Sequence, residues 1–159
     1  MERILKLLDQ NARFTNKEIA VMLGKTEEEV AAAVADFEKK GIIKGYKAVI
    51  DWEKSEYEYV SALIEIKVIP QRDRGFEEIA ARIVSFPEVE SMYLMSGAFD
   101  FALTITGKTF QEVAMFVARK LAPIESVQST ATHFILKRYK DDGVTFSEEI
   151  EDERGNASL

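Results

Sequence analysis

Apolar residues recur along the chain at two spacings, and the change from one to the other divides it. Up to Phe37 they repeat at helical intervals: Ile4, Leu7 and Leu8 between Arg3 and about Gln10, then Ile19, Ala20, Met22 and Leu23 in a short segment opened by Thr15 or Asn16. A third stripe runs Val30, Ala33, Val34 and Phe37, with Thr26 as its N-cap and Glu29 three residues on to complete a capping box. Gly24 supplies a tight turn between the second and third helices, and Gly41 ends the third. Ile42 and Ile43, a turn through Lys44 and Gly45, and the alternating run from Tyr46 to Trp52 predict a two-stranded wing. Three short helices and a hairpin make a winged helix-turn-helix over residues 1–51.

The polar stretch Trp52 to Glu58 (WEKSEYE) predicts a hinge at 52–58. Beyond it the period shortens to two. A strand from Tyr59 to Ile69 precedes a helix from Gly75 to Ser85 whose stripe includes Phe76, Ile79, Ala80 and Ile83, and Pro87 marks the break. Strands Val89–Met95 and Phe99–Thr106 follow, joined by Ser96-Gly97-Ala98. A helix from about Thr109 to Leu121 turns Phe110, Val113, Ala114 and Val117 inward, and a last strand occupies Val127 to Lys137. The order βαββαβ predicts an α+β, ferredoxin-like domain over residues 59–140, a four-stranded antiparallel sheet with both helices on one face. The other face has no helix to cover it. Leu63, Ile69 and Tyr93 or Leu94 would leave apolar surface there, which predicts association between copies, against the alternative of scattered surface residues on a monomer. Residues 141–159 read as an acidic, partly mobile tail.

Composition removes most chemistry. Cysteine is absent and histidine occurs once, which excludes disulfides, thiol catalysis and Cys-ligated zinc, and leaves no metal site expected. With no Gly-rich phosphate loop and no nucleophile beside a base, no catalytic residue and no cofactor is expected, and the protein is not expected to be an enzyme. No apolar run approaches the roughly 18 residues that span a bilayer, and the charged N-terminal stretch MERILKLLDQ is unlike a signal, so a cytoplasmic protein without a membrane partner is expected. The formal net charge of −7 would argue against nucleic acid, but the charge is unevenly distributed. Residues 1–50 hold nine Lys/Arg against eight Asp/Glu; the rest hold twelve against twenty. The acidity belongs to the second part, and the first can carry a local positive surface.

The segments TNKEIAVMLGKTEEEV, GIIKGYKAVID and SGAFDF, in this order around a short hinge, resemble the Lrp/AsnC (feast/famine) transcription regulators from Ile4 to about Lys140. YLMSGAFDFALTITGKT and STATHFILKRYK are particularly similar to a branch found in Gram-positive bacteria. The resemblance implies a regulator of transcription that binds double-stranded DNA, with a RAM-type C-terminal domain. It also implies dimers joined through the hinge strands and C-terminal domains, often assembled into tetramers or octamers, and an amino acid or related small effector bound between dimers.

The third helix departs from the family. Where many members carry arginines that reach bases and phosphates, this chain has Glu27, Glu28 and Glu29 followed by Ala31, Ala32 and Ala33. Glu29 is explained by its capping box. Glu27 and Glu28 can either favour the helix dipole or accept a hydrogen bond from cytosine N4. The candidate DNA-contacting residues are Lys25, Thr26, Glu27, Glu28, Lys39, Lys40, Lys44 and Lys47; the bland alternative for each lysine is solvated surface. The competing functional reading is an effector-sensing module whose acidic helix meets a protein partner instead of DNA.

The candidate effector-binding residues are Ser96, Gly97, Ala98, Phe99, Asp100, Thr130 and Thr132. Gly97 at positive φ would expose backbone N–H groups to a carboxylate, and Asp100 would pair with an α-ammonium. Taken alone the segment reads more readily as a plain hairpin, with Asp100 holding its own turn; it is the resemblance that brings an effector here. Ala98 and Phe99 replace the polar residue and tyrosine of many members, which favours a smaller or more apolar ligand. His133 reads as a packed or interface residue, and Trp52 as an anchor of the hinge.

Overall fold

Two threonines start the second and third helices. In the computed structural model, which describes residues 1–69 and 75–146, the Glu18 N–H donates to Thr15 Oγ1 at 3.2 Å while Glu18 Oε2 accepts from the Thr15 N–H at 2.8 Å. Thr26 and Glu29 form the same reciprocal pair at 3.2 and 2.9 Å. Each box satisfies helix-end donors that would otherwise need water, an effect of about 1 kcal/mol per cap. The helices so set are α1 (Glu2–Gln10), α2 (Asn16–Leu23) and α3 (Glu27–Lys39). Between α2 and α3, Gly24 takes the left-handed conformation (φ 63°) and Lys25 N–H donates to the Ala20 carbonyl, which turns the chain. Ile4, Ile19, Ala20, Val30 and Phe37 are buried at the centre of these helices. Met22, assigned to the inner stripe by its spacing, is exposed beside Val21, because Ile19, Ala20 and Leu23 already fill the inner arc of this short helix.

Among the described residues the expected wing shows no paired strands. Gly41 (φ 66°) ends α3, and the N–H groups of Ile42 and Ile43 both donate to the Phe37 carbonyl, at 2.9 and 3.3 Å. The helix stop takes the residues that would have been the first strand, and Ile43 packs on the core. Residues 44–50 run on without a ladder partner among the described residues. Contacts divide the chain into a first unit, Met1–Val49, and a second that begins at Ile50.

The second unit contains β1 (Val60–Val68), α4 (Phe76–Val84), β2 (Val89–Leu94), β3 (Phe101–Gly107), α5 (Phe110–Phe116) and β4 (Val127–Phe134), with the sheet order β2-β3-β1-β4 and every pair antiparallel. This is the ferredoxin-like α+β arrangement. Ala62, Ile64 and Ile66 alternate on β1 and share a face with Leu103, Ile105 and Phe101 of β3; Ile79 and Ile83 of α4 and Val113 and Phe116 of α5 complete that core. Full burial of each large side chain contributes about 1.5–3 kcal/mol. The stripe of α5 is rotated from its expected position: Phe116 points inward, while Ala114 is exposed and Phe110 packs edge-on against Phe134 at 4.8 Å. The helix then widens into one π turn, Val117–Leu121, which keeps Val117 and Leu121 buried.

On the uncovered face, the register aligns Leu63 with Thr104 and His133, Glu65 with Ala102 and Ala131, and Ala102 with Tyr93. Leu63 and Tyr93 are exposed there, and His133 Nε2 lies 3.5 Å from Glu65 Oε1. Leu94, by contrast, pairs with Phe101 and so belongs to the helix side. Beyond β4 the chain forms a second hairpin, β5 (Lys140–Asp141) with β6 (Val144–Thr145), turned at Asp142 and Gly143 with φ of 44° and 78°. Two successive positive φ values match the tight turn that Asp-Gly favours. The start of the expected mobile tail is therefore ordered backbone; the rest of it, residues 147–159, lies outside the described residues.

Candidate nucleic-acid interface and effector loop

Because α3 turns Val30 and Phe37 inward, Glu28, Ala32, Ala35 and Lys39 share its exposed face. Alanines at the middle of that face leave the helix backbone approachable. Around it, Lys25, Thr26 and Glu27 are exposed at the helix start, and Lys40, Lys44 and Lys47 follow its end. Among the described residues, Lys25, Lys39, Lys44 and Lys47 have no ion-pair partner, whereas Lys40 Nζ is held by Asp36 at 2.6 Å and is less free to reach a phosphate. Several acids of this unit are engaged. Glu18 and Glu29 cap helices, and hydrogen bonds from the Thr15 backbone and then its hydroxyl hold the Glu18 carboxyl below its ordinary value. Tyr46 Oη donates to Glu38 Oε1 at 2.9 Å; burial first, and then that carboxylate, push the phenol up.

The loop from Ser96 to Asp100 is closed by Met95 N–H donating to the Asp100 carbonyl at 2.8 Å. Ser96, Gly97 and Ala98 are exposed, and Phe99 and Asp100 half-buried. Gly97 does not adopt the positive φ expected of it: among the described glycines only Gly24, Gly41 and Gly143 do, because the loop is long enough to turn without a left-handed residue. Asp100 has a cross-strand role. Its N–H donates to the Ile66 carbonyl at 2.9 Å, and its Oδ2 accepts the Val68 N–H at 2.8 Å, at the register shift between Lys67 and Val68. The carboxylate thus takes the place of a ladder acceptor where the β1–β3 pairing ends at Phe101, with Oδ1 left for another donor. Thr130 and Thr132 pair with Ile66 and Ile64, so both face the helix-covered side; Thr130 is at the loop's end of the sheet, two strand spacings or about 10 Å from Asp100. Thr132 is one step nearer the other end.

A cleft that sequence reasoning did not find lies at that other end, on the uncovered side of the sheet. It is a small, half-open hollow lined by Ile50, Asp51, Trp52, Glu53, Tyr59, Ser61, Ile135, Arg138 and Phe146. Trp52 stacks on Tyr59 with ring centroids 5.8 Å apart. The Arg138 guanidinium lies over both Tyr59 and Phe146, donates from Nη2 to Tyr59 Oη at 3.3 Å, and pairs through Nη1 with Asp141 at 3.2 Å. Burial works to lower its pKa, but the Tyr59 hydrogen bond and the nearby negative groups outweigh burial and raise it, so it stays charged. The only signal in the sequence was the aromatic density of residues 52–59, which marks an anchor without saying what it packs on.

A helix-turn-helix with an exposed, lysine-flanked second helix, followed by a ferredoxin-like sheet domain, is the architecture of a DNA-binding transcriptional regulator with a separate ligand-binding domain. Residues 2–44 match the family described as winged helix-turn-helix DNA-binding, and residues 61–145 match the Lrp/AsnC ligand binding domain. The chain belongs to the Lrp/AsnC family of transcriptional regulators. It is 47% identical over 152 residues to the HTH-type transcriptional regulator YugG of Bacillus subtilis (strain 168), covering 95% of this chain and 92% of that one. It is 32% identical over 137 residues to the HTH-type transcriptional regulator LrpA of Pyrococcus abyssi (strain GE5 / Orsay), covering 86% and 94%. Among solved structures, a transcriptional regulator of Neisseria meningitidis in complex with L-Met superposes with a TM-score of 0.72 at 26% identity over 94% of each chain. No helix among the described residues is long and apolar enough to cross a membrane.

Proposed function

We propose that this regulator holds DNA with the outer face of α3 and the lysines beside it, and that an amino acid bound at the Ser96–Asp100 loop changes how its copies assemble. The observation that carries the DNA reading is local: Lys25, Lys39, Lys44 and Lys47 have no ion-pair partner while acids of the same unit serve helix caps, Lys40 or Tyr46. These lysines hold backbone phosphates. Ala32 and Ala35 let the helix sit close to the groove, and Glu27 and Glu28 disfavour most base edges other than a cytosine amino group. Affinity comes from repetition of weak sites across an oligomer. The uncovered sheet face, with Leu63 and Tyr93 exposed, supports pairing between copies.

At the loop, the exposed backbone of Ser96, Gly97 and Ala98 meets the effector's carboxylate, Phe99 its side chain, and the free oxygen of Asp100 its ammonium. Thr130 and Thr132 line the approach. The ligand acts by favouring whichever assembly has the better-formed site. The test is a gel shift of the gene's own promoter DNA, in the cytoplasmic range of salt and below it, with and without each common amino acid. Log affinity falling with log salt by about 0.9 per phosphate contact, and one amino acid shifting the curve, is the expected result. A salt-insensitive curve, or no complex at low salt, contradicts DNA binding and favours a protein partner for the acidic helix.

A further inference from the structure

We infer that two copies pair through the uncovered sheet face with uptake of protons, at an ion pair between His133 and Glu65. This rests on the pairing proposed above for that face and adds a control to it. His133 is the only histidine in the chain. The register sets it opposite Leu63 of β1, while Glu65, two residues further along β1, stands opposite Ala131. His133 Nε2 lies 3.5 Å from Glu65 Oε1. The face around this pair is apolar or uncharged: Leu63, Ala131, Ala102, Thr104 and Tyr93 surround it.

In a single copy both side chains still meet water, with 55% of His133 and 33% of Glu65 exposed, and their attraction is screened. A second copy laid on the face removes that water. A carboxylate stripped of water is costly unless a charge or a donor replaces it, and attraction at a fixed distance rises about fourfold as the effective ε falls from about 80 to about 20. Protonated histidine supplies both a full charge and a donor on each ring nitrogen; neutral imidazole has one N–H and no charge. The paired state therefore favours the protonated form more than the single copy does. By linkage, association strengthens as pH falls through the range where histidines change charge, roughly pH 8 to 6, and is lost as pH rises through it.

Other charged groups on this side do not take over the role. Lys67 stands on the same face opposite Ser129, one residue from the end of β1, where its long stem can keep the ammonium in water. Arg138, at the opposite end, is held by Tyr59 and Asp141, with the charge of Glu90 also acting on it. From β2 comes Tyr93, and phenols stay neutral in this range; β3 has no ionisable side chain. Because two-fold pairing repeats the face, each dimer carries two such pairs, and a threefold preference at each gives about tenfold in affinity.

Full-length copies labelled at the α-amino group with donor or acceptor dye are mixed at fixed ionic strength between pH 6 and 8. Affinity is read by energy transfer on dilution, or from the exchange rate of labelled copies where they hold too tightly to dilute apart. Pairing about tenfold tighter at pH 6 than at pH 8 is expected. His133→Gln, which keeps a donor but takes up no proton, should remove the dependence, and Glu65→Gln should remove or reverse it; both residues are partly exposed, and circular dichroism checks that each variant folds. Leu63→Arg, which places an unpaired charge at the centre of the face, tests the interface itself. If that variant pairs as tightly as the unaltered protein, the face does not join copies and both ideas fall. If it dissociates but pairing of the unaltered protein ignores pH, tightens toward pH 8, or keeps its full dependence in His133→Gln, the interface stands and the proton-linked pair is wrong.

Discussion

The two units handle charge in opposite ways. In the first, acids are tied to their own scaffold: Glu18 and Glu29 face helix N-termini, Asp36 holds Lys40 and Glu38 accepts from Tyr46. Lys25, Lys39, Lys44 and Lys47 are left open. In the second, two cations are held against aromatic rings. Arg138 sits between Tyr59 and Phe146 with Asp141 beside it, and Lys120 lies over Phe86 and Phe116 while bonded to Glu88. The first unit, nearly balanced in formal charge, therefore offers positive surface around α3, while in the second the acids stay in excess of the cations. Net charge summed over the chain hides the distinction that decides where a polyanion can settle.

Reversing the open lysines is the most severe test of this contrast. Lys44→Glu with Lys47→Glu should weaken DNA binding by roughly 100-fold at low salt and flatten its salt dependence, while Lys108→Glu in the second unit should change it little. Equal effects in a gel shift would remove the contrast. Next is the enclosed cation of the second unit. Lys120→Met should destabilise that unit by about 1–2 kcal/mol in urea unfolding, since it removes a cation–π contact and strands Glu88, whose Oε2 is buried without a partner among the described residues.

The pH dependence of the same pair has a definite sign. Burial raises the Glu88 pKa, but the hydrogen bond and charge of Lys120 outweigh it and hold the carboxyl below its ordinary 4.5. Its contribution is present above the unfolded value and is lost as pH falls through the folded one, below 4.5. Glu88→Gln should flatten that acid limb by about 0.5–1 kcal/mol. The cap is of similar size: Thr26→Ala should cost the first unit about 1 kcal/mol in thermal unfolding. No change there would mean that Glu29 holds the helix start without the reciprocal bond.

Much of the fold was legible because its signals are local. Thr26 and Glu29 identify a helix start from four residues, and the alternation of Ala62, Ile64 and Ile66 identifies a half-buried strand without knowledge of its neighbours. What escaped depends on distant pairing. The wing failed because the Phe37 carbonyl captured Ile42 and Ile43, a competition between helix stop and strand that spacing does not reveal. Asp100 was read for a ligand or for its own turn, whereas its carboxylate accepts from Val68, 32 residues away, a pairing that only the sheet register exposes. The spacing of two puts Thr130 and Thr132 on one strand face, but which face follows only from their pairing with Ile66 and Ile64. The cleft was invisible for the same reason: its walls come from three stretches, residues 50–53, 59–61 and 135–146.

The backbone from Lys44 to Ile50 follows from that helix stop. Seven consecutive residues keep their amide protons without a ladder partner among the described residues, between a helix cap and a 3₁₀ turn at Trp52–Lys54. In deuterated water this stretch should label at close to the intrinsic chemical rate, well ahead of β1 or β3, and a protease should cut there first. Any strand that docks on it would then appear as slowed exchange confined to these residues, a kinetic footprint readable without crystals or a known ligand.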